Sequence, residues 1–166
     1  MADILKYGWV KGGHMGEEYK CAKSQYFNRL AGAFVTASGA TGVVKLTTAS
    51  TDVIVGWAEV PRAGWSTSDA TIDYFLSSST VGKDKVHVIT DPTAVFRLPV
   101  YEANASLTAS LVGRFTSVIT SGSGTTLKQL ARGKGTTTAA NQQFFIVGVD
   151  MDNRTIDVRV NPHHVA

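Results

Sequence analysis

Cysteine is nearly absent from this chain. The single residue Cys21 excludes an intrachain disulfide framework and any metal site built from several cysteines. Long hydrophobic runs are missing too, and none approaches the ~20 apolar residues that a membrane-spanning helix needs. The first residues carry one lysine, Lys6, but no apolar core followed by a cleavage site, so no secretory signal is read there. Charge is scarce: Asp, Glu, Lys and Arg make up 17% of the 166 residues, with a formal net charge of +3. That modest excess forms no basic stripe, so nucleic acid is not the expected partner, and no membrane partner is expected either. The expectation is a protein made in a reducing cytoplasm.

Hydroxyl groups take the place of charge. Nineteen Thr and thirteen Ser supply much of the polar surface. Thr favours strands and Ser favours turns, which together predict an all-β protein with long loops. The length suits one domain with a sizeable core. The most legible stretch is 144–160. Ile156, Val158 and Val160 alternate with Thr155, Asp157 and Arg159, the period of a half-buried strand. Phe144 to Val149 is apolar on both faces near its start, as in a strand buried between neighbours. Asp152 and Asn153 tolerate the left-handed backbone of a tight turn, so the segment predicts a hairpin. An echo of its first strand lies upstream, in Val55-Gly56-Trp57 against Val147-Gly148-Val149, and both glycines are expected at bulges or close backbone crossings.

Residues 1–29 differ from the rest. They hold Lys6, Lys11, Lys20, Lys23 and Arg29, with Tyr7, Trp9, Tyr19, Tyr26 and Phe27 spread without period and Gly12-Gly13 and Gly16 between them. The stretch predicts an extended N-terminal arm whose isolated aromatics need a surface to bury against. That surface is either a partner subunit or the chain's own barrel. Residues 30–166 form the β domain. Strands are expected over 30–36, 42–47, 53–60 (closed by Pro61), 71–76, 85–90, 94–100 and 113–119, with a helical turn or two within 107–112. Asp91-Pro92-Thr93 is a turn signal, and Pro99 should sit at a strand edge or end. Residues 62–70, which carry Trp65, and 121–135 are expected as loops, the latter as a long mobile loop or a flap. Eight to ten short strands with little helix imply a β-barrel or sandwich-like domain.

Motifs that carry catalysis fail on inspection. Ser121-Gly122-Ser123-Gly124 lacks the outer glycine of a nucleophile elbow. Gly133-Lys134-Gly135 has glycine where a phosphate loop needs Ser or Thr for magnesium, and Lys128 stands where its first glycine should be. His14, His87, His163 and His164 include no helical i, i+4 pair, and adjacent side chains on an extended chain point opposite ways. Asp150, Asp152 and Asp157 lack the spacing and mid-loop glycine of a calcium loop, and read as turn and solvent-face residues. No catalytic residue, cofactor or metal is expected.

The order of several short motifs resembles the capsid cement, or decoration, proteins of tailed bacteriophages. Val53-Ile54-Val55-Gly56-Trp57-Ala58 comes first, then Asp91-Pro92-Thr93-Ala94-Val95-Phe96-Arg97-Leu98-Pro99-Val100. Leu111-Val112-Gly113-Arg114 follows, and Ile146-Val147-Gly148-Val149-Asp150 with Val158-Arg159-Val160-Asn161-Pro162 closes the set. The resemblance spans about residues 40–162 and rests on that order. It implies a non-enzymatic β-barrel-like protein on the outside of the capsid, bridging neighbouring major capsid proteins once the shell has expanded. It also implies self-association, as a homotrimer or less often a dimer. Residues 1–30 and 65–83 lie outside the pattern. Capsid or subunit contacts are expected from Tyr7, Trp9, Tyr19, Tyr26, Phe27 and Trp65, since aromatic anchors dominate interface energies. The competing reading is a virion or surface β-module that binds carbohydrate on Trp57 and Trp65. An unrecognised hydrolase is the third.

Overall fold

The structure, a computed structural model, describes residues 8–28, 32–39, 42–59, 74–101, 107–122, 127–140 and 142–162. Their order of strands is β1 (Gly8–Lys11), β2 (Gly16–Cys21), β3 (Tyr26–Asn28), β4 (Ala33–Ala37), β5 (Val43–Leu46), β6 (Ile54–Glu59) and β7 (Tyr74–Leu76). The chain continues through β8 (Lys85–Ile89), β9 (Val95–Pro99), a 3-10 turn (Ala109–Leu111), β10 (Phe115–Thr116), β11 (Val118–Ser121), β12 (Lys128–Ala131), β13 (Phe144–Asp150) and β14 (Thr155–Val160). The protein is all-β, as its composition predicts.

Five strands close a barrel in the order β2-β5-β4-β6-β8, and β8 returns to β2 as an antiparallel neighbour. Its one parallel pair is the short seam between β2 and β5, where Lys20 faces Val43 and Cys21 faces Val44. A second, antiparallel sheet runs β1-β9-β14-β13-β10. Two two-stranded antiparallel ribbons, β3-β7 and β11-β12, complete the fold.

Two cores follow from strand alternation. Cys21, Ala33, Val35, Val44, Leu46, Ala58, Val86 and Val88 come from all five barrel strands, so they meet inside the barrel, where Phe27 and Phe75 of the β3-β7 ribbon join them. Phe34, Ile54, Trp57 and Ile89 come from β4, β6 and β8 alone and face the second sheet, packing on Phe96, Leu98, Phe144, Ile146, Ile156 and Val158. Phe34 is the hub of this core. Its ring lies 4.6 Å from Phe144, 4.8 Å from Trp57 and 5.2 Å from Phe96, while Trp57 stacks on Phe96 at 5.3 Å. Such offset and edge-on aromatic pairs add to the burial of their large apolar surfaces.

The expected N-terminal arm is, over residues 8–28, part of the domain itself. β1 adds an edge to the second sheet, β3 pairs with β7, and β2 is the strand that closes the barrel. The reason lies in its environment. Glu17, Glu18 and Lys20 of β2 are exposed and only Cys21 is fully buried, so the strand shows no strong period of two. Burial raises the Cys21 thiol pKa to about 12, with a smaller push from Asp84, which makes this cysteine a packed apolar residue.

The stretch 121–135, expected as a flap, contains β12 paired residue by residue with β11. The buried side chain of Gln129 then ties β12 to the barrel. Its Oε1 accepts from Phe34 N at 2.7 Å, and its Nε2 donates to Phe34 O at 2.8 Å and Thr47 O at 2.9 Å. Gln143 does similar work, accepting from Val118 N and donating to the carbonyls of Ala49 and Asp52. At the 13–14 hairpin the left-handed backbone falls on Arg154 (φ 53°), not on Asp152 or Asn153. The carboxylate of Asp150 organises that turn by accepting from the backbone and side-chain nitrogens of Asn153.

Candidate functional site

The expected contact residues are placed in different surroundings. Phe27 is fully buried, against Phe75 at 6.3 Å, and contributes to the core rather than to a surface. Tyr19 is half-buried against the barrel core, and Tyr26 is half-buried on β3. Trp9 is the one that presents a large face, 43% exposed, with its indole N–H donating to Gly13 O. Tyr7 and Trp65 lie outside the described residues. Trp57, proposed as a sugar platform, is 3% exposed and stacked in the core, so it offers no face to a ligand.

A cleft opens instead at the end of the second sheet. Register sets Phe115 of β10 opposite Phe145 of β13, and Phe145 opposite Arg159 of β14. Paired positions share a face, so these three side chains form a row across the sheet. The two phenyl rings lie 5.3 Å apart. With Pro92, Val160, Asn161 and Pro162 they line a cleft of about 340 Å³. Its walls are largely apolar, with one exposed guanidinium at Arg159. A surface of this kind suits burial against another protein. Its chemistry is packing with one cation at hand, and no acid-base pair lines it.

No protein-family model, curated protein or solved structure matches this chain.

The cleft was only half visible in the sequence. Consecutive apolar residues Phe144 and Phe145 predict a strand buried on both faces; in the structure Phe144 enters the core while Phe145 lines the cleft. The contribution of Phe115 depends on the β10–β13 register, which no local pattern announces.

A second gathering of side chains lies on the outer wall of the barrel. Glu59, the last residue of β6, pairs with His87 of β8, and their chain neighbours Ala58, Val86 and Val88 fill the barrel interior, so alternation sends Glu59 and His87 outward. His14, from the loop between β1 and β2, reaches the same place. Its Nε2 lies 2.9 Å from Glu59 Oε1, and its ring stacks near that of His87, centroids 6.1 Å apart. The edge of Trp9 meets His14 at 5.1 Å. The loop is held from both sides: Gly13 N donates to Thr93 Oγ1, and Met15 O accepts from Thr90 N and Asp91 N. Asp91 fixes Thr93 in turn, accepting from its hydroxyl and its backbone N–H, and these bonds lower the Asp91 pKa. Spacing rules did not reveal this trio, because its members are far apart in the chain and meet only through strand pairing.

Proposed function

We propose that this protein is a capsid cement protein of a tailed bacteriophage, a non-enzymatic module that binds the outside of the expanded shell and bridges neighbouring major capsid proteins. The observation that carries the reading is where the ordered motifs meet. Ile54 and Trp57, Phe96 and Leu98, Leu111, Ile146 and Val158 come from all of the separated motifs, yet they pack in one core between barrel and sheet. These motifs thus supply much of the core between barrel and sheet, which supports the reading. An all-β domain with an outward apolar cleft and an exposed Trp9 also suits a protein whose work is adhesion.

In this role the cleft around Phe115 and Phe145, and separately Trp9 at the opposite edge of the sheet, supply apolar area to be buried at the joints. Each Å² removed from water contributes about 25 cal/mol before association costs. Arg159 at the rim sets orientation more than strength. Self-association as a trimer would place several such surfaces on the shell at once and multiply weak contacts by avidity.

Mixing the purified protein with expanded capsids that lack it, then sedimenting them, tests the proposal. Co-sedimentation at micromolar protein is expected, weakened in Arg159→Glu, whose side chain is exposed and whose fold should persist. Failure of the wild-type protein to pellet with such capsids would overturn the reading.

A further inference from the structure

We propose that His14, Glu59 and His87 form a binding site for a divalent transition-metal ion of the zinc class. Each offers one ligand atom, and these atoms all lie within 4.8 Å of one another. Zinc holds imidazole nitrogen and carboxylate oxygen at about 2.0–2.2 Å, which puts neighbouring ligands of a tetrahedral ion ~3.3 Å apart. His14 and Glu59 are already closer than that. Closing the trio needs small side-chain rotations, chiefly of the two rings, with no movement of the strands.

The backbone around the trio is suited to holding it. Glu59 and His87 sit on directly paired positions of the barrel wall, the most rigid way to place two ligands side by side. Gly16 of β2 lies beside the His87 ring: a Cβ at that position would come within 2.8 Å of His87 Nε2. The missing side chain leaves the imidazole its space next to β2. His14 is on a loop, but the bonds from Thr93, Thr90 and Asp91 on either side of it restrict that loop.

The donor set selects the ion. Two imidazoles and one carboxylate suit zinc and its neighbours, whereas calcium and magnesium prefer a shell of oxygens. The side chains of His14 and Glu59 remain 47% and 40% exposed, so an ion enters from solvent and keeps a coordination position open toward it. A three-ligand set leaves the fourth tetrahedral position to water, unlike the closed site of four protein ligands that holds structural zinc. In the metal-free protein, the His14–Glu59 bond holds the two ligands in place, and the ion replaces the proton between them.

Isothermal titration of the full chain with zinc chloride, with magnesium chloride as the control, tests the site. The wild-type protein should bind one zinc per chain and ignore magnesium. His14→Ala, Glu59→Gln and His87→Ala should each weaken binding by tenfold or more, while the paired variant His163→Ala/His164→Ala should retain it. His14→Ala alters an exposed loop residue, so it keeps the test valid if His87→Ala fails to fold. Zinc should also raise the melting temperature of the wild-type protein and not that of His14→Ala. No uptake at about 100 µM zinc, or uptake lost only in the C-terminal histidine variant, would overturn the proposal.

Discussion

Arg97 on β9 and Asp157 on β14 occupy paired positions, and a two-pronged bond joins them, Nε to Oδ1 at 2.7 Å and Nη2 to Oδ2 at 2.9 Å. Their side chains are only 23% and 20% exposed, so water competes weakly for the pair. The hydrogen bond to Asp157 is also the main cause that raises the Arg97 pKa. A charge-assisted fork of this geometry is worth more than an open surface pair. Asp157→Asn removes the charge and one acceptor, and should destabilise the protein by about 1–2 kcal/mol, less than for a fully buried pair because part of the guanidinium stays wet. Urea unfolding of the variant beside the wild type measures it. An unchanged midpoint would mean that the fork contributes nothing net.

Acid should weaken the fold from a defined pair of turns. The Asp91 carboxyl is lowered below its ordinary 3.8 chiefly by the side-chain hydrogen bond from Thr93, and that of Asp150 chiefly by the side-chain bond from Asn153. A folded-state value below the unfolded one contributes stability above the unfolded value and loses it as pH falls through the folded one. The loss therefore begins near pH 4 and deepens below it. Both residues are only half-buried, in turns open to solvent, so the effect is modest. Melting temperature followed from neutral to acid pH should fall less steeply in the paired variant Asp91→Asn/Asp150→Asn; an identical acid slope would count against this assignment.

Two buried polar side chains should respond in opposite ways to apolar replacement. Gln129→Leu strands the N–H of Phe34 and the C=O of Thr47 inside the protein and leaves the C=O of Phe34 with only Thr47 N as donor, which should cost about 3 kcal/mol or more. Thr155 Oγ1 is buried and has no hydrogen-bond partner among the described residues. Thr155→Val keeps the shape and removes that desolvated hydroxyl, so it should be neutral or stabilising by up to about 1 kcal/mol. Thermal unfolding of both variants gives the order directly, and a Thr155→Val protein less stable than wild type by more than about 1 kcal/mol would contradict the unpartnered hydroxyl.

Much of the fold was legible because strands with one buried face repeat every two residues. β14 announces itself that way, β8 buries Val86 and Val88 on either side of His87, and Asp91 bonds its own turn as its side chain suggests. What stayed hidden was non-local. β2 closes the barrel with an exposed face and only one fully buried residue, so its role depends on β5 and β8 rather than on its own pattern. β12 is short and half polar because Gln129 spends its amide on the backbone of β4, a use that composition does not distinguish from a loop. Trp9 and Phe27 read alike in the sequence, as isolated aromatics in need of a surface, yet Trp9 is 43% exposed and Phe27 is core. The Phe115–Phe145 row and the His14–Glu59–His87 trio depend on register and on a crossing loop, and no spacing within a segment encodes either.

The two glycines of the repeated Val-Gly motif should also part company. Both lie beside a register shift, between Val35 and Thr36 opposite β6 and between Ile146 and Gly148 on β13, so both mark β-bulges. Their surroundings differ. A Cβ on Gly56 would stand 2.2 Å from the carbonyl oxygen of Ile89 and 2.7 Å from a methyl of Val88, so backbone would have to move where β6 and β8 join. A Cβ on Gly148 would meet nothing closer than the Asp157 side chain at 3.4 Å, an ordinary contact. Gly56→Ala should therefore cost about 3 kcal/mol or prevent folding, because the clash is with backbone at the heart of the barrel wall. Gly148→Ala should stay within about 1 kcal/mol of wild type, since the loss of space is offset by a less flexible unfolded chain. Paired urea titrations decide it: equal midpoints for the two variants would show that the β6–β8 joint yields more easily than its close approach implies.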